Sequence, residues 1–319
     1  MPEQQRLIII NHPVYLDHDT GGNYHPEIPG RLTCILDHLN STPLAANITI
    51  QEPRKAEWEW LTMFHQENYL LRFEEAALSG KTFIDHPDNQ LSFDSFEAAL
   101  FSAGAGLTGV DLLENGENSV FCAVRPPGHH AEKNISLGFC FLNNVVITAR
   151  YWQKKYGRTR LAIIDWDAHH GNGIQSAFEE DPDVLYISLH EHPTYSFPGT
   201  GYSEDIGSGA GRGATLNIPL PPGSDDSKVL QAVSTQIEPL LSDFSPERII
   251  IAAGFDGHLN DDMSGLAYST DLYGLLGRYA ADWGLKYGQG KTLSILEGGY
   301  HLPSLAASVG TYLNSLNIC

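Results

Sequence analysis

The sequence predicts an α/β fold, with a central parallel sheet covered by helices on both faces and long loops at one end. Three observations carry this. Short apolar runs alternate along the chain with longer helical stretches. The run Leu161–Ile164 is apolar throughout, as a strand buried on both faces must be. Polar, metal-ligating side chains follow directly on such runs, where the strands of an open α/β sheet present ligands.

In chain order, Leu7–Ile10 reads as a strand closed by Asn11-His12-Pro13, too short and wrongly flanked for a signal peptide. His12–Pro29 and Thr82–Phe93 read as long loops whose His and aromatic residues (Tyr15, Tyr24, His25) shape a pocket rim. A helix is expected over Ser95–Leu113, capped by Asp94 or Ser95, then a strand at Val120–Val124 and a helix at Asn144–Tyr156. Strands follow at Leu161–Asp165 and Val184–Leu189. The Gly- and Pro-rich stretches Glu191–Gly213, which holds Phe197, and Pro219–Ser224 come next. A helix at Lys228–Leu241, a strand at Arg248–Ala252, a helix at Thr270–Tyr287 capped by Ser269 or Thr270, a strand at Thr292–Leu296 and a helix at Ser304–Leu316 complete the pattern.

The chain has 319 residues, 42% of them hydrophobic and 18% charged, so it can bury a sizeable core and is no disordered tract. With no repeat, low-complexity segment or long linker, residues 1–319 read as a single domain. Against 19 Lys and Arg stand 39 Asp and Glu, a formal net charge of −20. Such a surface repels nucleic acid phosphates and attracts cations, and serves solubility equally well. Cys34, Cys122, Cys140 and Cys319 show no Cys-x-x-Cys pairing, so reduced thiols and a cytoplasmic protein are expected. No apolar run reaches the roughly 20 residues of a membrane span, and no membrane partner is expected.

The densest chemistry is in Asp165-Trp166-Asp167-Ala168-His169-His170-Gly171-Asn172-Gly173. Asp167 and His169 are two apart, so on an extended backbone they point the same way and can grip one divalent cation. One Asp at a strand end is most often a polar turn; Asp-x-Asp-x-His-His is far more specific. The strand at Val120–Val124 runs into Arg125-Pro126-Pro127-Gly128-His129-His130, where two adjacent imidazoles can divide acid–base work. The strand at Arg248–Ala252 leads to Asp256, a third metal ligand. The strand at Thr292–Leu296 leads to Glu297-Gly298-Gly299-Tyr300, whose phenol can donate to a developing oxyanion. Read singly, His129 or His130 is a hydrogen-bonded structural residue, Asp256 a cap and Tyr300 packing. Read together, three ligands with an open position, a histidine pair and a phenol fit hydrolysis of an acyl bond at a catalytic zinc. The same donor set accepts Fe(II).

With these motifs the chain resembles the zinc-dependent histone deacetylase and acetylpolyamine amidohydrolase superfamily, on the arginase–deacetylase fold. The resemblance runs from about His12 to about Ser308. Its motifs are His25-Pro26-Glu27-x-Pro29-x-Arg31-Leu32, Arg125 to His130, Gly138 to Asn144, Asp165 to Gly173, Phe197 to Gly201, Ala253 to Asp256 and Glu297 to Tyr300. Asn172 and Ala-Gly-Phe-Asp look like the class II branch. The resemblance implies zinc on Asp167, His169 and Asp256. It implies His129 and His130 flanking the reacting water, Asp165 orienting His129 and Asn172 orienting His130, with His130 the general base. Tyr300 would bind the oxyanion. Gly138, Phe139, Phe197 and Met263 would line a narrow channel, with Asp88 or nearby Asp85 as the rim carboxylate, and Arg31 would belong to an acetate-release region. A structural potassium would rest on Asp165, Asp167, His169, Ser188 and Leu189. At 263 the chain has Met where close relatives carry Leu, and no Glu of a polyamine-selective mouth. It also lacks the insertion that some bacterial polyamine enzymes use to dimerise; whether it forms a homo-oligomer stays open.

The implied partner is an acetylated substrate: acetyl-lysine, an acetylated polyamine or another small N-acyl amine. A binuclear manganese amidinohydrolase of the arginase kind would need carboxylates at 171 and 258, where the chain has Gly171 and His258. A non-catalytic acyl-binding module would be expected to have lost part of the catalytic set, which is complete.

Overall fold

The computed structural model describes residues 7–316; Cys319 lies outside them. Its strands are β1 (Leu7–Ile10), β2 (Ile48–Gln51), β3 (Ser119–Cys122), β4 (Leu161–Asp165), β5 (Val184–Glu191), β6 (Thr215–Leu220), β7 (Arg248–Ala253) and β8 (Thr292–Leu296). They form one sheet in the order β2-β1-β3-β8-β7-β4-β5-β6, with every neighbouring pair parallel. The central strands β4, β7 and β8 are buried along their whole length. That is the cost-free arrangement for sequences such as LAIID and RIIIAA, which have no polar face to show to water.

Among the described residues ten α-helices cover the sheet: α1 (Gly30–Asn40), α2 (Trp58–Leu61), α3 (Glu67–Leu78), α4 (Ser95–Glu114), α5 (Asn144–Tyr156), α6 (Asn172–Phe178), α7 (Asp226–Ala232), α8 (Glu238–Phe244), α9 (Thr270–Tyr287) and α10 (Leu302–Leu316). α9 and α10 pack together with α1 beside α10, α4 packs on α5, and both groups touch the middle of the sheet. α4 is long and apolar enough to cross a membrane by composition alone, but it is mostly buried here as a core helix. Ser269 caps α9 as expected, its hydroxyl accepting from Leu272 N at 3.2 Å. Asp94 occupies the N-cap position of α4 without a side-chain cap bond. Cys34, Cys122 and Cys140 are free.

Two strands, β2 and β6, and four helices, α1, α2, α3 and α6, stand outside the sequence reading, and one expected helix is divided. β2 and β6 were not expected, and both are sheet edges. β2 is half-exposed, and β6 holds Asn217 and Pro219, residues that an edge tolerates and a central strand does not. The single helix expected over Lys228–Leu241 is instead α7, a wide π turn at Val233–Ile237, and α8. Pro239 explains the break: it has no N–H to donate, and its ring clashes with the carbonyl four residues back, so the ladder widens there.

The strand order gives the site its position. β3, β8, β7 and β4 are neighbours in the sheet. Their carboxyl ends therefore bring together His129 and His130, Tyr300, Asp256, and the Asp165–His170 segment, although these lie far apart in sequence.

A candidate metal centre beneath an aromatic channel

Asp167, His169 and Asp256 are buried, and each offers one ligand atom within 4.8 Å of the others. His169 Nε2 faces the Met263 carbonyl at 3.1 Å, while its Nδ1 lies 2.9 Å from Asp256 Oδ2 and 3.2 Å from Asp167 Oδ1. A proton on Nε2, donated to that carbonyl, leaves the Nδ1 lone pair turned towards the carboxylates, as in a metal-binding histidine. Burial, and then the neighbouring Asp167, push Asp256 up to about 7. Burial opposes a charge on His169, yet the two carboxylates outweigh it and hold the ring well above its ordinary value. The site thus draws positive charge. Gly298 stands against it, where a Cβ would collide with the carboxylates of both Asp256 and Asp167; its N–H donates to Asp167 Oδ2 at 2.7 Å. The donors, charge and close backbone fit a divalent cation.

His129 and His130 lie beside this triad, with ring centroids 3.9 Å apart. Their surroundings drive them in opposite directions. His129 Nδ1 lies 3.2 Å from Asp165 Oδ2. Burial disfavours its charge, but Asp167 and Asp165 prevail and push it up to about 10. His130 Nδ1 meets the Asn172 amide oxygen at 2.8 Å. That oxygen is fixed because the Asn172 Nδ2 donates to His130 O and Glu132 Oε1. Burial, then the charges of His129 and His169, hold His130 well below the ordinary imidazole value. A neutral ring that donates through Nδ1 keeps Nε2 free to take a proton, and paired groups with separated pKa values divide acid from base.

Above the triad is a cavity of about 210 Å³, lined by Asp88, His130, Gly138, Phe139, His169, Phe197, Met263 and Tyr300. Pockets for drug-sized ligands begin at about 300 Å³, so this one suits a slender group. The ring of Phe197 stands edge-on to His130 at 4.9 Å, and that of Phe139 edge-on to Tyr300 at 5.8 Å. Phe139 has φ +67°, rare for a bulky residue, and its N–H donates to Asn89 Oδ1 at 2.9 Å. Burial holds the Tyr300 phenol well above its ordinary pKa, so it stays a donor.

All five residues expected along the channel line the cavity, and Asp88, not Asp85, is among them. Asp85 turns away, accepting from Ser136 N at 2.8 Å and pairing with Arg72. Ser188 pairs with Asp165 in the β4–β5 register, so Ser188 and Leu189 lie beside the Asp165–His169 segment. Arg31 is buried on Glu27 at 3.1 Å, with its guanidinium 4.9 Å from the Tyr300 ring centre. His170 turns from the metal triad to Thr200 Oγ1 at 2.8 Å and Gln175 Oε1 at 3.0 Å, which ties down the loop carrying Phe197. The sequence reading missed Asp261, whose carboxylate accepts from Tyr300 N; an Asp-Asp pair in the loop after Asp256 was the only signal. A second buried group, His129, Cys140 and Glu297, adjoins the site. There Glu297 Oε2 accepts from Gly128 N at 2.7 Å and His129 N at 3.1 Å, holding the histidine pair from behind.

A parallel sheet with this donor set at its carboxyl edge is the arrangement of an α/β enzyme with a candidate metal site. Residues 25–316 match the family model described as histone deacetylase domain. A probable deacetylase of Archaeoglobus fulgidus is 40% identical over 295 residues, 92% of this chain and 80% of that protein. Histone deacetylase 10, chloroplastic, of Oryza sativa subsp. japonica is 36% identical over 302 residues, 89% of this chain and 68% of that protein. Polyamine deacetylase HDAC10 of Danio rerio is 35% identical over 304 residues, 91% of this chain and 44% of that protein. The crystal structure of the HDA15 HD domain matches with a TM-score of 0.92 and 30% identity, covering 99% of this chain and 89% of that one. The chain belongs to the histone deacetylase family: it is a deacetylase on the arginase–deacetylase fold, in a family whose norm is zinc dependence.

Proposed function

We propose that this deacetylase is zinc-dependent and removes acetyl, or another short acyl group, from lysine side chains or from small N-acetylated amines. The observation that carries the reading is the adjacent His129–His130 pair, each ring held at Nδ1 by its own partner, beside the Asp167–His169–Asp256 triad and a narrow aromatic channel. Asp167, His169 and Asp256 would hold the ion. When bound, it supplies Lewis-acid polarisation of the amide carbonyl and acidifies a water. The chain's own residues do the rest. The channel admits an alkyl arm and keeps bulk water out. His130, oriented by Asn172, accepts the proton of the attacking water at Nε2 and returns it to the leaving amine. His129, oriented by Asp165 at its Nδ1, stands beside His130 on the reacting water. Tyr300 donates to the oxyanion.

A structural potassium at Asp165, Asp167, His169, Ser188 and Leu189 is part of the proposal, supported by the register that sets Ser188 beside Asp165. Potassium-free buffer should then lower the thermal midpoint, and an unchanged midpoint removes the ion from the account.

The substrate class is tested by kcat/KM on an acetyl-lysine peptide, acetylputrescine, acetylcadaverine and acetylspermidine. The acidic surface and Asp88 at the rim support cationic substrates. A preference for one class of about 100-fold, or ~2.7 kcal/mol of transition-state binding, assigns it. No turnover of any of the four, with zinc supplied, sinks the proposal.

A further inference from the structure

We propose that Asp261 is a positioning residue that fixes Tyr300 and the Met263 channel wall relative to each other, an inference that rests on the reading of Tyr300 given above. Asp261 lies in the loop between β7 and α9 and is 5% exposed. Its Oδ2 accepts from Tyr300 N at 2.6 Å and His301 N at 3.0 Å. Its Oδ1 accepts from Met263 N at 3.1 Å. Met263 O in turn faces His169 Nε2 at 3.1 Å. One carboxylate thus links the backbone of the oxyanion donor, the backbone of the channel wall and, through that, a metal ligand.

The link answers a local problem. Tyr300 follows Gly298 and Gly299, the latter at φ +120°, where the chain has most freedom to move the phenol. Tyr300 and His301 also directly precede α10, at the end where backbone N–H groups have no partner within the helix. A buried carboxylate there accepts from His301 N at the N-cap and from Tyr300 N just before it, and lies at the favourable end of the helix dipole. Asp262, next in sequence, is exposed and makes none of these contacts. An oxyanion donor displaced by a fraction of an ångström loses most of its worth in the transition state and little of its effect on substrate binding.

The test is Asp261→Asn, alone and combined with Tyr300→Phe, assayed on acetyl-lysine and trifluoroacetyl-lysine peptides with metal content measured on each protein. The amide has one acceptor oxygen in place of two. We expect kcat on the acetyl peptide to fall about 10- to 100-fold with KM little changed and one metal still bound per chain. The loss should be smaller on the trifluoroacetyl peptide, whose fluorines already stabilise the oxyanion. In the Tyr300→Phe background, read on the trifluoroacetyl peptide, Asp261→Asn should cause no further loss, because its effect passes through the phenol. Wild-type kcat, loss of the metal, or an equal further loss without the phenol would each overturn the inference. Should the asparagine variant fail to fold, Asp261→Ser, with a smaller acceptor, is read in the same way. Tyr300→Phe alone separates the two claims: a normal rate there overturns the role of Tyr300 and this inference with it. A crippled Tyr300→Phe beside a normal Asp261→Asn overturns only the inference.

Discussion

Glu27 lies between Arg125 and Arg31, which donate to it at 2.5 Å (Arg125 Nε), 2.7 Å (Arg125 Nη2) and 3.1 Å (Arg31 Nη1). Asp167 and Asp256 lie against His169 in a second cluster. Both clusters are fully buried and both hold carboxylates, but their charges are balanced differently. Around Glu27 the chain supplies the counter-charge itself. The remaining donors of Arg125 go to Tyr15 O and His18 O, and those of Arg31 to Gly299 O and Glu297 O. Burial opposes the charge on Glu27, yet Arg125, His18 and Arg31 hold it well below the usual carboxylate range. In the triad two acids share one imidazole, and burial with Asp167 pushes Asp256 up. The first cluster is complete as folded and clamps the 12–29 loop to the strand ends. The second would be completed by the cation of the proposed function. One buried acid is a fastening and the other a binding site, and the difference lies in which neighbours carry positive charge.

The largest expected effects are on turnover and fall on the second cluster alone. His130→Ala should lower kcat by about 10²- to 10⁴-fold with the metal retained, because only proton transfer is removed. Asp256→Asn should lose the metal and cost more than about 100-fold in kcat/KM, beyond the effect typical of residues that merely support a ligand. Metal analysis and steady-state kinetics on the same samples check both. A His130→Ala protein with a near-normal rate would end its role as base.

Next in size is a contrast in stability. Glu27→Gln should destabilise the fold by about 3–5 kcal/mol, since two buried guanidinium groups lose their counter-charge. The same acid-to-amide change in Asp256→Asn, with both proteins compared in chelator, should be neutral or stabilising, because it removes repulsion from Asp167. Urea denaturation measures both. Equal destabilisation by the two variants would erase the distinction between the clusters.

Much of this was readable in the sequence, for a physical reason. Asp165, Asp167 and His169 are alternate residues at the end of one strand, and His129 and His130 are adjacent in the short loop after another, so local spacing carries much of their geometry. The strand order that joins them was not readable, because strand–helix alternation implies parallel strands and leaves their neighbours open. Asp261 was not readable, because its partners are the backbone N–H groups of Tyr300 and His301, which leave no mark on residue type. Asp85 and Asp88 could not be told apart either, since Arg72 and Ser136, which capture Asp85, reach it across the fold. The edge strands β2 and β6 escaped because an edge need not be apolar, and the π turn because Pro239 acts on the residues before it.

A smaller effect separates the clusters by pH. The folded pKa of Glu27 is depressed, so its stabilisation is complete above the unfolded value of about 4.3 and is lost as pH falls towards the folded value. The gap in stability between wild type and Glu27→Gln should therefore be constant from pH 7 to about pH 5 and shrink in more acid solution. A gap that widens on acidification would mean that Glu27 is not held as a carboxylate.

The smallest expected effect concerns the two rim acids. Asp88 is part-exposed, lines the channel mouth and meets His86 Nδ1 at 2.5 Å. A charge that water can screen is worth about 1 kcal/mol or less, so Asp88→Asn should raise KM for a cationic acetylpolyamine by up to about fivefold. An uncharged acetyl-amide should be affected less, because it has no ammonium for the carboxylate to attract. Asp85→Asn should leave KM unchanged for both and instead lower the melting temperature, since that carboxylate accepts from Ser136 N and Ser136 Oγ and holds Arg72. If Asp85→Asn moved KM while Asp88→Asn did not, the rim carboxylate would have been assigned to the wrong residue, and the mouth would be shaped by the loop's fastening instead of its free charge.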